Sequence, residues 1–387
     1  MAYSNGRPPP FGAPGGVSGS DDDWGDWDPD RARRGYTGHV RALRDLDLHR
    51  DPVIDLPAPS ARPASAGGLS PAALAVSARA ETEDYLTVTY DPRDPGFAEL
   101  YDSLIVPQWS VPFGRLLLSV FLTLPRDVGY QVLDVACGTG YPTLELARFL
   151  GQDCDLAGID VWEEAIQLAR RKASEEWLRN VTFLVADVHE SSLPERAFDA
   201  LTCNLGLASF ADRPAALGAM WRLLRPGGQF LLTLPLQSAM REFLDTYYLT
   251  LRDLGLGDYL RALAQLIANR PTVEETRTMV ERAGFEVKRF TSDNFVLRFP
   301  SPRAFLISPL VQTTFMVNWR AIIPDLTVRR LVFNEVERRL TARAQPGDTG
   351  LAADQRRRIS ADGDSLVERA EGQRHQCRHD LRGAGHR

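Results

Sequence analysis

Residues 133–150, LDVACGTGYPTLELARFL, confine the chain more than any other stretch. The apolar run QVLDVA (131–136) passes through Gly138-Thr139-Gly140 into a segment with Leu146, Phe149 and Leu150 on one helical face. Continuous apolar runs mark strands buried on both faces, and Pro142 suits the first turn of a helix. A strand, a turn stripped of side chains and a helix make the opening half of a βαβ unit.

That unit recurs along the chain. DLAGID (155–160), VTFLVADV (181–188) and FDALTCNLGL (198–207) read as the second to fourth strands. QFLLTLP (229–235) reads as the fifth, after a turn at Pro226-Gly227-Gly228. Helical stripes lie between them, at Ala165, Leu168 and Ala169 and at Leu217, Met220, Trp221 and Leu224. The alternation predicts an α/β, Rossmann-like fold: a mainly parallel sheet with right-handed crossovers and helices on both faces. Upstream, 97–124 reads as two helices broken at Pro107 and Pro112. Downstream, 238–269 is helical. Thr272 and Glu275 then fit a capping box, with Gly284 as the stop. Residues 285–299 form one long strand or a hairpin turning at Thr291–Asn294. Helices follow, the last with Val328, Leu331, Val332, Val336 and Leu340 on one face. Helical insertions therefore follow strands five and six.

Residues 1–78 are rich in Pro, Gly, Ser, Asp and Arg and read as a disordered tail, with a helix start at Ser70-Pro71. Residues 79–343 form the folded domain, beginning with lid helices; 344–387 read as an irregular, disordered C-terminal tail. The segment DDDWGDWDPD (21–30) reads as solvated tail, with a docking peptide for a protein partner as the alternative.

The composition, 44% hydrophobic and 25% charged, is that of a soluble globular protein. A net charge of −6 argues against nucleic acid as the partner, since phosphate binding needs a basic surface. No run of 18 apolar residues offers a membrane span, and MAYSNGRPPPFGAPGG lacks the apolar core of a secretory signal. The four cysteines show no paired spacing, so a reduced, cytoplasmic compartment is expected. His375, Cys377 and His379 lack a fourth ligand, and no metal is expected. Lys172 and Lys288 are the only lysines; the other basic residues are all arginine, which reads as a compositional bias and not as a site.

In open parallel sheets ligands sit at the carboxyl ends of the strands. A glycine turn there lets backbone N–H groups approach the ligand. Asp160 ends the second strand, 20 residues after Gly140, where a carboxylate accepts both hydrogen bonds of a ribose diol. Asp187 ends the third, where an adenine amino group would lie; Asn204-Leu205-Gly206 end the fourth. Together they imply an adenosine ligand. Tyr141-Pro142-Thr143 supply no third glycine, which disfavours a dinucleotide, and there is no P-loop. S-adenosylmethionine (SAM) has no phosphates, and its sulfonium suits acidic surroundings.

Residues 131–235 resemble the class I SAM-dependent methyltransferase core, closest to the methyltransferase type 11 group that includes quinone-biosynthesis enzymes. DVACGTG (134–140) resembles that family's acidic-x-G-x-G-x-G motif, with Ala136 at the first glycine position, a departure expected to cost little. The resemblance implies a cofactor set of Asp134, Ala136, Gly138, Thr139, Gly140, Asp160, Val161, Asp187, Val188 and Asn204. It also implies an antiparallel seventh strand near the C-terminus. In 344–387 the only adjacent bulky aliphatic pair is Leu366-Val367, so that strand is expected to be missing or degenerate.

The implied activity is methyl transfer from SAM to a small acceptor, partly hydrophobic because the insertions are apolar. The Asn-Pro-Pro-aromatic motif of amino-methylating DNA enzymes is absent after the fourth strand, which favours a small molecule over nucleic acid. Proximity is the main lever, and a base is needed only for a protonated nucleophile. His189 is the candidate base, against a plain surface histidine. Tyr101, Asp102 and Trp109 lie in the segment expected over the cofactor, and Tyr247, Tyr248 and Tyr259 lie in the insertion after the fifth strand. Whether oxygen, nitrogen or carbon is methylated stays open. Two other readings are a SAM-binding partner without catalysis and an NAD-dependent Rossmann oxidoreductase.

Overall fold

The computed structural model describes residues 84–94, 96–121, 129–343 and 365–372. The tail helix expected at Ser70, the tryptophan-containing acidic segment and the His375–His379 cluster lie outside them. A seven-stranded sheet carries the fold, in the order β3-β2-β1-β4-β5-β7-β6. The strands are β1 (Gln131–Val135), β2 (Asp155–Asp160), β3 (Val181–Val185), β4 (Phe198–Asn204), β5 (Leu224–Thr233), β6 (Phe285–Asp293) and β7 (Ser365–Gly372). β1 to β5 are parallel, and β7 runs antiparallel between β5 and β6. Strand order reverses at β1, flanked by β2 and β4, so the switch-point crevice opens at the carboxyl ends of β1 and β4.

Every residue of β1 is buried, as its apolar run requires. The crossover helices are α3 (Thr143–Leu150), α4 (Glu163–Glu175) and α5 (Arg213–Leu223). α5 starts with the Asp212 side chain accepting from the Ala215 N–H. After β5 come α6 (Arg241–Asp253), α7 (Leu260–Ala268) and α8 (Val273–Arg282). The capping box at α8 forms as expected: Thr272 N–H donates to Glu275 Oε2 at 2.7 Å and Glu275 N–H to Thr272 Oγ1 at 3.2 Å. β6 is a single strand ending at Asp293.

Two expectations are overturned. The segment 97–121 is not split at its prolines. α1 (Phe97–Leu100) runs through a π-helical stretch, Tyr101–Ser110, into α2 (Val111–Phe121). Wider π winding absorbs the hydrogen bond that Pro107 cannot donate, and Pro112 falls where π winding returns to α. The seventh strand also exists. β7 pairs Gln229 to Leu232 of β5 with Glu371 to Glu368, and Phe285 to Asp293 of β6 with Gly372 to Ser365. A strand flanked on both sides is held by main-chain N–H and C=O groups, which any non-proline sequence supplies. The weak side-chain pattern of SLVERAEG was therefore no obstacle.

A helical cap forms a separate aromatic cluster. It joins α6 to α9 (Pro302–Ile307), α10 (Pro309–Val311), a second π stretch (Gln312–Met316), α11 (Val317–Ala321) and α12 (Leu326–Arg343). Trp319 stacks on Phe243 at 3.9 Å and on Phe315 at 5.4 Å. The chain just before α1 is stitched into this cap. Tyr85 Oη donates to Asn334 Oδ1 at 3.1 Å, and Gln312 Nε2 donates to the Tyr85 carbonyl at 3.0 Å.

Candidate active site

The turn after β1 is wound tightly. Ala136, Gly138 and Gly140 have φ of 59°, 54° and 97°. The two glycines serve different ends. A Cβ on Gly138 would meet nothing within 4 Å, so the turn is open on that side. A Cβ on Gly140 would press on Leu144 at 3.0 Å and Ala169 at 3.2 Å, so this glycine lets α3 and α4 pack. Ala136, a β-carbon in the left-handed region, carries strain on the order of 1–2 kcal/mol, more than its sequence position suggested.

Asp160 closes the turn from β2. Its Oδ2 accepts from Gly138 N–H at 2.8 Å and its Oδ1 from Trp162 N–H at 2.9 Å. Burial pushes its pKa up while those amide bonds pull it down. The Val161 amide also bonds this carboxylate, which keeps part of its acceptor capacity for a diol. Asp187 lies beyond β3, with Oδ1 accepting from His189 N–H at 2.8 Å. Val188 is buried and Val161 exposed on either side of this edge.

Asp134 is fully buried beneath the turn. Thr143 Oγ1 donates to its Oδ2 at 2.5 Å and Thr202 Oγ1 to its Oδ1 at 2.7 Å. Burial raises its pKa to about 6. It holds β1, β4 and α3 together and reaches a cofactor only through the turn. Asn204 is similarly engaged: its Nδ2 donates to the Ser110 carbonyl at 3.2 Å and its Oδ1 accepts from Thr233 Oγ1 at 2.6 Å. It fastens the lid helices to β4 and β5.

Three contacts the sequence did not reveal lock the lid to the turn. Lys172 Nζ donates to Asp102 Oδ1 at 2.7 Å and to the Thr139 carbonyl at 2.9 Å, and Thr139 Oγ1 donates to Asp102 Oδ1 at 2.6 Å. One of the chain's two lysines is thus structural to the site. Its rarity is the available sequence signal. Above this triad the Tyr101 ring meets Trp162 edge-on at 5.4 Å, and Trp162 Nε1 donates to the Pro92 carbonyl at 3.2 Å.

The candidate catalytic residues separate. Tyr101 stays at the site, its hydroxyl bonded to Ser110 and its pKa raised by burial. His189 is exposed, with its ring 5.8 Å from Phe210. Tyr247 does not face a pocket. It is 0% exposed, donates to the Trp319 carbonyl at 3.1 Å and packs on Phe333 at 5.4 Å. A hydroxyl that reaches a main-chain carbonyl inside an aromatic core is a packing device. Tyr248 points outward, 46% exposed, and Tyr259 is half-buried against the cap. Trp109 is buried, edge-on to Phe113, Phe295 and Phe315 at 5.0, 5.8 and 5.4 Å.

Strain collects on the same edge. Five non-glycine residues among those described have positive φ. Three of them, Ala136, Leu205 and Met240, directly follow or closely follow β1, β4 and β5.

The methyltransferase-domain family model matches residues 126–288. The chain is 30% identical over 174 residues to the ubiquinone/menaquinone biosynthesis C-methyltransferase UbiE of Shewanella halifaxensis, covering 42% of this chain and 69% of that protein. It is 30% identical over 265 residues to nocamycin O-methyltransferase of Saccharothrix syringae, covering 65% of this chain and 90% of that one. The chain belongs to the class I SAM-dependent methyltransferases. Among solved structures, YcgJ of Bacillus subtilis is similar at 17% identity and a TM-score of 0.42, over 67% of this chain and 98% of that one. This methyltransferase uses SAM as its methyl donor. Among the described residues no helix is long and apolar enough to cross a membrane, and no group of His, Cys, Asp and Glu is placed to hold a metal ion.

Proposed function

We propose that this methyltransferase holds SAM across the carboxyl ends of β1 to β3 and passes its methyl group to a small, partly hydrophobic organic acceptor. The observation that carries this is the fit of the turn to the cofactor. Gly138 has open space where a side chain would stand, and the Asp160 carboxylate beside it keeps unused acceptor positions. Asp160 would take the ribose diol, Asp187 the adenine side, and the Gly138–Thr139 backbone the amino-acid end. When bound, SAM supplies an electrophilic methyl on a positive sulfur. The chain's own part is to orient the acceptor and exclude water.

The acceptor side is argued from a closed ring of contacts above β4 and β5. Asn204 binds the Ser110 carbonyl, Trp109 next to it meets Phe315, and Phe315 lies under Arg270, which donates to the Ala239 carbonyl beyond β5. The ring is aromatic on the cap side, which supports an acceptor with an apolar body. The relatives' names place one on carbon and one on oxygen, so the chemistry of the accepting atom is not drawn from them. Turnover of methyl-labelled SAM against phenols, carboxylic acids, amines and quinone precursors tests the reading. Methylation of none of them, or only of nucleic acid, would overturn it.

A further inference from the structure

Arg270 is a half-buried cation without a counter-charge. It follows α7 and reaches back across the loop beyond β5, where Nη1 donates to the Ala239 carbonyl at 2.5 Å. Its Cζ stands 5.4 Å from the centre of the Phe315 ring. No carboxylate of the described residues lies within 4 Å of it. A guanidinium has five N–H donors, and one of Arg270's is used within the protein. Burial alone draws its pKa down to about 10.

A neighbouring arginine adds donors without acceptors. Arg213, at the first turn of α5, donates Nη1 to the Asn269 carbonyl at 3.4 Å, one residue from Arg270, and also has no carboxylate within 4 Å among the described residues. Asp212 beside it caps α5. Part-buried donors in excess over acceptors suit a ligand that only accepts.

We propose that Arg270, seconded by Arg213, recognises an oxyanion on the acceptor, so that the substrate class is an organic acid with an apolar body. This rests on the methyl-acceptor reading above and narrows it. Planar oxyanions match the guanidinium fork; the Phe315 ring beneath it holds that fork in place. The inference also fits how four other ionisable side chains are engaged. Tyr247 is in the core, Asp134 is tied by two hydroxyls, and burial holds Cys137 and Cys203 as thiols. An acceptor that arrives ionised needs no base.

The test uses the full chain and a matched pair of probes, 2-naphthoate and its neutral amide, in calorimetric titrations at pH 7.5. Wild type is expected to bind the acid at least about tenfold more tightly than the amide, the ratio for one charge-assisted bond. Arg270→Gln, which keeps a donor for the Ala239 carbonyl, is expected to lose that preference. Arg270→Lys is expected to keep part of it, and Arg213→Gln to reduce it. Equal binding of the two probes to wild type, no saturable binding of the acid, or an unchanged preference in Arg270→Gln each overturns the proposal. SAM affinity is measured in the same preparations. Its loss in wild type would count against the methyl-acceptor reading, whereas intact SAM binding with no acid preference would remove the oxyanion site alone.

Discussion

The Cβ of Ala136 occupies the space that any side chain on Gly206 would need: a Cβ at Gly206 would lie 2.4 Å from it. The residue after β1 and the residue beginning the turn after β4 therefore fit as a pair, one with a methyl group and one without. Gly206→Ala is expected to destabilise the fold by about 1–3 kcal/mol through overpacking. Ala136→Gly is expected to stabilise it by about 1 kcal/mol, since it relieves a positive φ. In the double variant about 1 kcal/mol or more of the Gly206 cost should be recovered; Cys203 Sγ, 3.0 Å from the same Cβ position, keeps the rest. Urea denaturation of the four proteins measures the coupling, and strict additivity would show that the two positions do not compete.

Gly138 and Gly140 are expected to fail differently. Gly138→Ala keeps its fold at a cost of about 1–2 kcal/mol for the left-handed φ and loses SAM affinity, because its Cβ enters the open side of the turn. Gly140→Ala carries the same backbone penalty and also pushes on Leu144 and Ala169, so its defect is in stability. Thermal melts and SAM titrations of both separate the cases; a stable Gly138→Ala with normal affinity would place the cofactor elsewhere.

Asp160→Ala removes the carboxylate that accepts from Gly138 and Trp162 and, in the proposed reading, the ribose. A loss of tenfold to a hundredfold in SAM affinity is expected, about 1.5–3 kcal/mol for a charge-assisted bond. Asp160→Asn keeps most of the shape and is expected to fall between. Calorimetry that finds the alanine variant folded and equally tight rules out the ribose role.

Asp134 makes stability depend on pH. Its native pKa of about 6 stands above its ordinary 3.8. An acid raised on folding binds more protons folded than unfolded across that interval. Stability therefore falls as pH rises from about 4 to about 6 and is flat above. Roughly two units correspond to about 3 kcal/mol. Asp134→Asn is expected to flatten this segment and to be more stable than wild type at pH 7. Denaturation midpoints from pH 4 to 8 check it; parallel curves for the two proteins would show that the carboxylate is not the group responsible.

Tyr247→Ala is expected to cost about 3–5 kcal/mol, as a large ring leaves a sealed aromatic core. Tyr247→Phe loses only the bond to the Trp319 carbonyl, about 1 kcal/mol. Tyr248→Ala, on the exposed side, should stay within about 0.5 kcal/mol of wild type. A Tyr247→Ala protein with full stability and impaired turnover would return that ring to the acceptor pocket.

Much of this molecule is legible without coordinates. The five parallel strands follow from apolar runs at regular intervals, because a strand buried on both faces favours apolar side chains; β3, at the sheet edge, is partly exposed and keeps the pattern all the same. The proposed ligand edge rests on glycines and acids that fall at strand ends, and the α8 capping box follows from two residues three apart. These signals are local: each is carried by residues adjacent in sequence.

What residue order could not settle was decided by contacts between distant segments. β7 is held by main-chain bonds to β5 and β6, and such bonds leave no trace in side-chain pattern. Pro107 stays inside a helix because π winding, held between the cap and the turn, tolerates the missing donor. Whether a tyrosine on α6 faces a core or a pocket depends on Trp319 and Phe333, more than 70 residues away in the chain. Lys172 gains its meaning only where α4 brings it to Asp102 and the Thr139 carbonyl. Local chemistry chooses the elements and sets glycines and acids at one edge of the sheet; packing across the chain chooses which side chains stay free, because burial and hydrogen-bond partners are properties of neighbours that only folding supplies.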